Sequence, residues 1–321
     1  NNLYSLWTNY CVSESYEPGS TFKPVTVASA LEEGVVKDGD TYVCKGFETV
    51  ADYKLKCHVF STIGSHGSLT VEQALMNSCN PYMIHLALEM GNSRFAYYQS
   101  LFGFGKTTGI DLPGETTGIV YGDRMTTIDA ACNSFGQTIN VNMMQMMAAY
   151  CSIINGGMLY QPHIVKRIES ANGEVVKEYK ANLVRQTITA STSKLLRRYL
   201  KNTVEEGTAK KAGVTGYSVA GKTGTAQKGD RKDNKWIISF IGHAPAENPK
   251  FAIYVVIDEP YGTTGTSGSS ADVLTLTHNI LEKLLPYMNV YKDASDEYED
   301  TSSSPDELTV DGIPAGTASS N

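Results

Sequence analysis

The sequence predicts an α+β fold in which helices pack against an antiparallel sheet. Helical patterns fill most of the chain before residue 205, beginning with an apolar helix over Ser20–Leu31. Three apolar segments then alternate with polar turns and are predicted to be strands: Tyr217–Gln227, Trp236–His243 and Phe251–Asp258. Strands joined by such turns form an antiparallel meander. A set of helices followed by such a meander is typical of a helical subdomain packed on an antiparallel sheet.

Five further helices are predicted from local signals. Thr70-Val-Glu-Gln73 has the form of a capping box, which marks a helix start. Asn80-Pro81 resembles an N-cap followed by proline in the first turn, and Gly91 is the expected stop. The predicted helices are Val71–Met76, Tyr82–Met90, Met143–Ile154, Ser191–Val204 and Asp272–Met288.

Composition and charge exclude several classes of protein. The 321 residues are 41% hydrophobic and 19% charged, which is ordinary for a globular domain. Of the 34 acids and 27 bases, eight acids and one base lie in residues 292–321, so residues 1–291 carry 26 of each. A neutral body without clustered base predicts no nucleic-acid partner. The longest apolar run, Phe251–Ile257, is too short to span a bilayer.

Three short motifs carry the candidate chemistry: Ser20-Thr-Phe-Lys23, Ser78-Cys-Asn80 and Lys222-Thr-Gly224. A serine hydroxyl becomes a useful nucleophile when a base removes its proton. Residues three apart on a helix share a face, so Lys23 can act as that base for Ser20. The N-terminus of a helix also favours the negative charge that develops in acyl transfer. The motifs therefore indicate a serine acyl-transfer site.

Lys23 can act as a base only if its pKa is lowered. Burial and a second nearby cation both lower the pKa of a lysine. Lys222, on the first predicted strand, is the candidate second cation. Gly224 has no side chain, so a substrate is expected to lie against this strand as an added β-strand.

Motifs this short also occur by chance. Ser191-Thr-Ser-Lys194 repeats the first pattern, and Ser319-Ser-Asn321 repeats the second. Context separates them, because Ser20 follows the Pro18-Gly19 turn and opens an apolar helix, whereas Ser191 opens a surface helix. The specific signal is the ordered set of three motifs.

The segments around the motifs resemble class B penicillin-binding proteins, especially those of the division and sporulation type. The matching segments follow in family order between about Trp7 and Tyr287: Ser15–Pro24, Ser78–Pro81, Phe102–Gly105, Thr108–Glu115, Ser134–Gln137 and Ala220–Gln227. The resemblance implies the transpeptidase fold that these proteins share with serine β-lactamases, and an activity in peptidoglycan cross-linking.

The resemblance also implies a domain organisation and a location. The transpeptidase domain is expected over residues 1–291. Residues 292–321 are acidic, rich in Ser and Thr and poor in large apolar residues, and this composition by itself predicts a disordered tail. Family members carry a membrane helix, a pedestal domain and a first sheet strand ahead of this region. The chain is therefore expected to be an N-terminally truncated part of a protein at the extracytoplasmic face of the bacterial membrane, with a cell-wall glycosyltransferase of the divisome type as partner.

The resemblance assigns each catalytic residue a role. Ser20 would attack the penultimate D-alanine carbonyl of a stem peptide, with Lys23 as general base. Ser78 and Lys222 would relay a proton to the leaving amine, and Asn80 would bind a substrate amide and orient Lys23.

The remaining site residues would hold the substrate. The N–H groups of Ser20 and Thr225 would form the oxyanion hole, and the hydroxyls of Thr223 and Thr225 would contact the substrate carboxylate beside Gly224. An amine from a neighbouring stem would resolve the acyl-enzyme, and β-lactams would trap Ser20. No cofactor is expected.

Two other functions share these motifs. A D,D-carboxypeptidase or β-lactamase-like hydrolase lets water attack the acyl-enzyme, but the sequence offers no clear carboxylate for deacylation. The other hypothesis is a non-catalytic β-lactam sensor or scaffold. A scaffold would be expected to lose a motif residue, and none is lost.

The six cysteines are Cys11, Cys44, Cys57, Cys79, Cys132 and Cys151. They show no C-x-x-C spacing, and no neighbouring histidine completes a zinc set in the sequence, so no metal site is expected. Cys79 is interpreted as a small packing residue. In an exported protein, Cys44 and Cys57 could form a disulfide across a short polar loop. Spacing alone leaves open whether they are bridged or free.

Overall fold

The computed structural model describes residues 7–229, 235–260 and 269–294. Within these residues there are nine α-helices and eleven strands. The helices are α1 Tyr10–Ser13, α2 Lys23–Glu33, α3 Val71–Met76, α4 Asn80–Met90, α5 Asn92–Leu101, α6 Thr127–Asn133, α7 Met143–Ile154, α8 Ala190–Glu205 and α9 Ala271–Tyr287. The strands are β1 Thr41–Cys44, β2 Phe47–Val50, β3 Tyr53–Lys56, β4 Gly67–Thr70, β5 Met158–Gln161, β6 Arg167–Glu169, β7 Val175–Glu178, β8 Asn182–Gln186, β9 Ala220–Lys228, β10 Lys235–Ala244 and β11 Phe251–Asp258.

The main sheet is the predicted antiparallel meander, with strand order β11-β10-β9. Its central strand β10 is buried on both faces. Ile241 belongs to the larger hydrophobic core among the helices, whereas Ile238 and Phe240 belong to a smaller core that includes apolar residues of α9. The sheet therefore lies between the helical subdomain and α9, and the α+β prediction is confirmed.

Helix α2 is the centre of the larger core. Every residue from Lys23 to Ala30 is buried, and the helix packs against α4, α7 and α8. Gly34, in the left-handed conformation with φ 75°, ends it. Because the helix is enclosed on all sides, its first turn carries Lys23 into the protein interior.

The sequence predicted six of the nine helices in the described part of the chain, and α1, α5 and α6 were not predicted. The capping box of Thr70 and Gln73 is present at α3, and α7 spans the predicted residues. Asn80 departs from its predicted role, because α4 begins at Asn80 with Cys79 as N-cap and no side-chain cap. The side-chain oxygen of Asn80 accepts a hydrogen bond from Lys23, so a tertiary contact replaces the local one.

Short strand pairs that the sequence did not predict surround this core. Strand β1 pairs with β4, β2 with β3, β5 with β8 and β6 with β7, all antiparallel. The first two pairs bring the segment between residues 41 and 70 against α3 and α4. This placement sets the neighbourhood of the second motif.

The C-terminal part of the described chain is attached to the domain. The Asp293 carboxylate accepts hydrogen bonds from the backbone N–H and hydroxyl of Ser218. Residues 295–321 lie outside the described residues, so the acidic tail stays a prediction. Among the described residues, none of the helices has the length and apolar character needed to cross a bilayer.

Candidate active site

Ser20 lies in a 3₁₀ turn, Gly19–Phe22, that leads directly into α2. Its side chain is half-buried. The backbone N–H of Gly19 donates to the Gly136 carbonyl at 3.0 Å, which ties the turn to the Ser134–Gln137 segment. This hydrogen bond holds the turn that carries Ser20 against the Ser134–Gln137 segment, which is called the supporting segment below.

Two glycines make this turn possible. Gly136 has φ 81°, and a Cβ there would lie 2.0 Å from the Gly19 carbonyl oxygen. Gly19 has φ 57°, and its Cβ would lie 2.7 Å from the Thr225 carbonyl oxygen. Both conformations are unfavourable for residues with a side chain. The glycines let this turn, which carries the candidate nucleophile and is called the nucleophile turn below, approach β9 closely.

A continuous hydrogen-bond network joins the first two motifs. Ser78 Oγ donates to Ser20 Oγ at 3.0 Å. Lys23 Nζ donates to Ser78 Oγ at 2.9 Å, to the Ser78 carbonyl oxygen at 2.6 Å and to Asn80 Oδ1 at 2.7 Å. All three donors of the ammonium group are thus satisfied. Ser78 connects the candidate base to the candidate nucleophile.

Ser78 reaches this position through an unusual backbone conformation. It lies between α3 and α4 with φ 54°, in the left-handed region that a residue with a side chain rarely adopts. Residues held in such conformations cluster at functional sites. The turn aims the Ser78 hydroxyl at Ser20 and its carbonyl at Lys23.

The third motif lies on β9, the terminal strand of the sheet among the described residues. Lys222 is fully buried, and its Nζ lies 3.2 Å from the Thr223 carbonyl oxygen and 3.3 Å from Thr223 Oγ1. Thr223 is nearly buried, whereas Thr225 is half-buried. The strand packs against the nucleophile turn, so the three motifs converge.

The neighbours of Gly224 leave no room for a side chain. A Cβ at Gly224 would meet Ser239 Oγ at 2.4 Å and the Pro18 carbonyl oxygen at 2.9 Å. The space on this side of the strand is filled by protein, so Gly224 lets the turn before Ser20 pack on the sheet. The predicted pairing of a substrate with this strand stays a prediction.

Burial dominates the electrostatics of the two lysines. It lowers the pKa of Lys23 to about 8, while negative charge on Cys57 and Cys79 would act in the opposite direction. Burial, followed by repulsion from Lys23, lowers the pKa of Lys222 well below its usual value. The sequence predicted that a second cation would lower the pKa of Lys23. The repulsion instead depresses the pKa of Lys222.

A polar cavity of about 420 Å³ lies beside the nucleophile turn. Its walls include Glu17, three residues before Ser20, Gln137 of the supporting segment, and Gln227 and Lys228 at the end of β9. It does not include the side chains of the candidate catalytic residues Ser20, Lys23, Ser78 and Lys222. It offers polar contacts next to the site.

The cysteines and His66 form a cluster that the sequence did not predict. All six cysteines are free, so Cys44 and Cys57 are not bridged in this structure. Cys44, Cys57 and Cys79 are buried and face His66, whose Nδ1 lies 3.5 Å from Cys57 Sγ and 3.8 Å from Cys44 Sγ. The inference that no histidine completes a ligand set is wrong in three dimensions. A visible signal was the concentration of these four residues between positions 44 and 79.

Comparisons with known proteins agree with this geometry. The family model described as the penicillin binding protein transpeptidase domain matches residues 1–282. The chain belongs to this family.

Individual relatives give the same answer. Stage V sporulation protein D of Bacillus subtilis is 41% identical over 288 residues, which cover 88% of this chain and 44% of the relative. Peptidoglycan D,D-transpeptidase FtsI of Escherichia coli is 32% identical, covering 89% of this chain and 46% of the relative. The chain thus spans somewhat less than half the length of these relatives.

Solved structures show the same fold. Penicillin binding protein 3 of Mycobacterium tuberculosis, complexed with aztreonam, has a TM-score of 0.80 and 29% identity, covering 90% of this chain and 66% of that chain.

Proposed function

We propose that this chain is a peptidoglycan D,D-transpeptidase domain that forms a serine acyl-enzyme. The observation that carries the proposal is the network from Ser20 Oγ through Ser78 Oγ to Lys23 Nζ and Asn80 Oδ1. A nucleophile linked to a base that a third group orients is the arrangement expected for covalent catalysis. The relative from Escherichia coli is named for this reaction.

Acylation would begin with the proton of Ser20. Neutral Lys23 accepts it through Ser78 while Ser20 Oγ forms a bond to the penultimate D-alanine carbonyl. The tetrahedral intermediate collapses by breaking the bond to the terminal D-alanine, whose amine takes the proton held by Lys23 through Ser78 and Lys222. Burial favours the neutral form of Lys23, whose pKa of about 8 leaves a useful fraction of free base near neutral pH.

Substrate binding would use β9 and the nucleophile turn. The outer edge of β9, which pairs with no other strand in the described part of the chain, can pair with an extended stem peptide. The N–H groups of Ser20 and Thr225 would stabilise the oxyanion, and the hydroxyls of Thr223 and Thr225 would hold the terminal carboxylate. The polar cavity beside the turn gives room for the rest of the stem.

The acyl-enzyme would pass to an amine of a neighbouring stem rather than to water. In the described part of the chain, the hydrogen bonds of Ser20, Ser78 and Lys23 reach hydroxyl, carbonyl and amide groups, and none of them reaches a carboxylate. A hydrolase would need a base to activate water at this point. The arrangement therefore favours transfer over the D,D-carboxypeptidase and β-lactamase alternatives.

The wider context is part of the same proposal. Residues 1–291 would form the transpeptidase domain of a longer protein at the extracytoplasmic membrane face, followed by the acidic tail. Its partners would be stem peptides, β-lactams and a cell-wall glycosyltransferase. The 41% sequence identity to stage V sporulation protein D supports a role in sporulation or division.

Intact-protein mass spectrometry with benzylpenicillin tests the proposal. We expect a stable adduct of one penicillin per chain, lost in Ser20→Ala. The matched control is Ser191→Ala, which alters the other Ser-x-x-Lys motif at the start of α8 and should leave the adduct unchanged. A D-amino acid exchange assay on a D-alanyl-D-alanine substrate then measures acyl transfer directly.

The other possible results would each support a different function. A short-lived adduct with accumulating penicilloate would support the hydrolase. A folded wild-type chain without an adduct would support the scaffold. A stable adduct without any exchange of the donor would identify a sensor.

A further inference from the structure

The Cys/His cluster comprises Cys44, Cys57, His66 and Cys79. The three sulfur atoms and a nitrogen of the imidazole all lie within 4.8 Å of one another. Cys44 ends β1, Cys57 follows β3, His66 precedes β4 and Cys79 is the N-cap of α4. Four separate segments of the chain thus bring three sulfur atoms and one imidazole nitrogen close together.

The distances match those of a tetrahedral zinc site. Zinc bonds of about 2.3 Å to sulfur and about 2.0–2.1 Å to nitrogen place ligand sulfur and nitrogen about 3.6 Å apart. His66 Nδ1 lies 3.5 Å from Cys57 Sγ and 3.8 Å from Cys44 Sγ. Two sulfur ligands of a tetrahedral zinc ion lie about 3.8 Å apart. The sulfur atoms of the cluster lie within 4.8 Å of one another, which is compatible with this spacing.

The surroundings suit thiolates. The Gly46 N–H donates to Cys44 Sγ at 3.4 Å. The sulfur of Cys44 therefore accepts from a backbone donor, as metal-bound thiolates do when their surroundings orient them.

Two simpler explanations fit less well. Apolar packing alone does not explain why three buried thiols converge on an imidazole. A disulfide would use two sulfurs and leave a thiol facing His66, and all three cysteines are free.

We propose that Cys44, Cys57, His66 and Cys79 bind one Zn²⁺ ion in a closed structural site. Three thiolates and one imidazole fill the four positions that zinc prefers and leave none for water. The ion would therefore stabilise the fold and take no part in catalysis. Cys79 stands between Ser78 and Asn80, so the ion would hold the second motif in position against the 41–70 segment.

Metal analysis tests the site without reference to acyl transfer. The full chain is purified under reducing conditions, with neither a chelator nor a polyhistidine tag, and its zinc content is measured by mass spectrometry. We expect one zinc per chain, reduced more than about tenfold in Cys57→Ser and in His66→Ala. Cys132→Ser and Cys151→Ser, which alter cysteines outside the cluster, should retain the full content.

Cobalt and cadmium identify the ligands. Replacement with Co²⁺ should give a thiolate charge-transfer band and the visible bands of a tetrahedral ion. Cadmium NMR should show the chemical shift of a site with three sulfurs and one nitrogen. This second measurement uses the unaltered chain, so it stands even if the cysteine variant fails to fold.

Two outcomes overturn the proposal. One is a folded, reduced chain that takes up neither Zn²⁺ nor Co²⁺. The other is a disulfide among Cys44, Cys57 and Cys79 in the purified protein, detected by thiol counting under denaturing conditions. Neither outcome affects the acyl-enzyme experiment, whose readout is the mass of the penicillin adduct.

Discussion

Lys23 Nζ donates a hydrogen bond to Asn80 Oδ1 at 2.7 Å, across 57 positions of the chain. The contact joins the first turn of α2 to the first turn of α4. It explains why Asn80 does not cap its own helix, and it fixes the ammonium group beside Ser78. We expect the reactivity of the site to depend on this buried lysine.

Acylation should depend on pH through Lys23. Burial lowers the pKa of this lysine to about 8, and only its neutral form can accept the proton of Ser20. The second-order rate of benzylpenicillin acylation should therefore rise with pH and level off above about 8. Lys23→Ala should lower the rate about 10²- to 10⁴-fold and abolish this inflection. An unchanged inflection in the variant would assign the base elsewhere.

Asn80→Asp should shift this profile upward. A carboxylate in place of the amide stabilises the charged form of Lys23, which raises its pKa by about one unit or more. The acylation inflection should move to higher pH by the same amount. Asn80→Ala is the control, because it removes the hydrogen bond without adding a charge. Equal profiles for the two variants would argue against an electrostatic cause.

Gly136→Ala should disrupt the nucleophile turn. A Cβ there would lie 2.0 Å from the Gly19 carbonyl oxygen, so the turn that carries Ser20 must move. Gly114→Ala is a matched control, because Gly114 has φ 80° with no heavy atom within 4 Å of the added Cβ. The control should lose about 1–2 kcal/mol from its left-handed backbone alone. Gly136→Ala should lose about 1–3 kcal/mol more, with slower acylation, as measured by urea unfolding and adduct formation.

Removal of zinc should lower the melting temperature. An ion held at a concentration 1,000 times its Kd stabilises the folded state by about 4 kcal/mol, so a strong chelator should lower Tm by roughly 8–16 °C in a domain of this size. The Tm of His66→Ala should not respond to the chelator. A chelator effect of the same size in this variant would place the metal elsewhere.

The sequence predicted the elements whose signals are local. Helix α7 and strand β11 lie where the pattern of apolar residues put them, and the capping box of Thr70 and Gln73 starts α3 as expected. The three motifs could also be found, because their order along the chain distinguishes them from the repeat at Ser191-Lys194. Short strand pairs such as β1 with β4 were missed, since each of these strands has four residues of which only one is buried, and so short a segment carries little pattern.

By itself, the sequence determined the fold class, the candidate nucleophile and the residues that would serve it. These features depend on spacing within one segment or on the order of segments. Tertiary structure alone decided that burial lowers the pKa of Lys23, that Gly136 and Gly224 admit close backbone packing, and that Cys44, Cys57, His66 and Cys79 meet at one point. The physical reason is the same in each case. Desolvation, van der Waals contact and metal coordination act between atoms that are close in space, and only packing brings distant segments of the chain together.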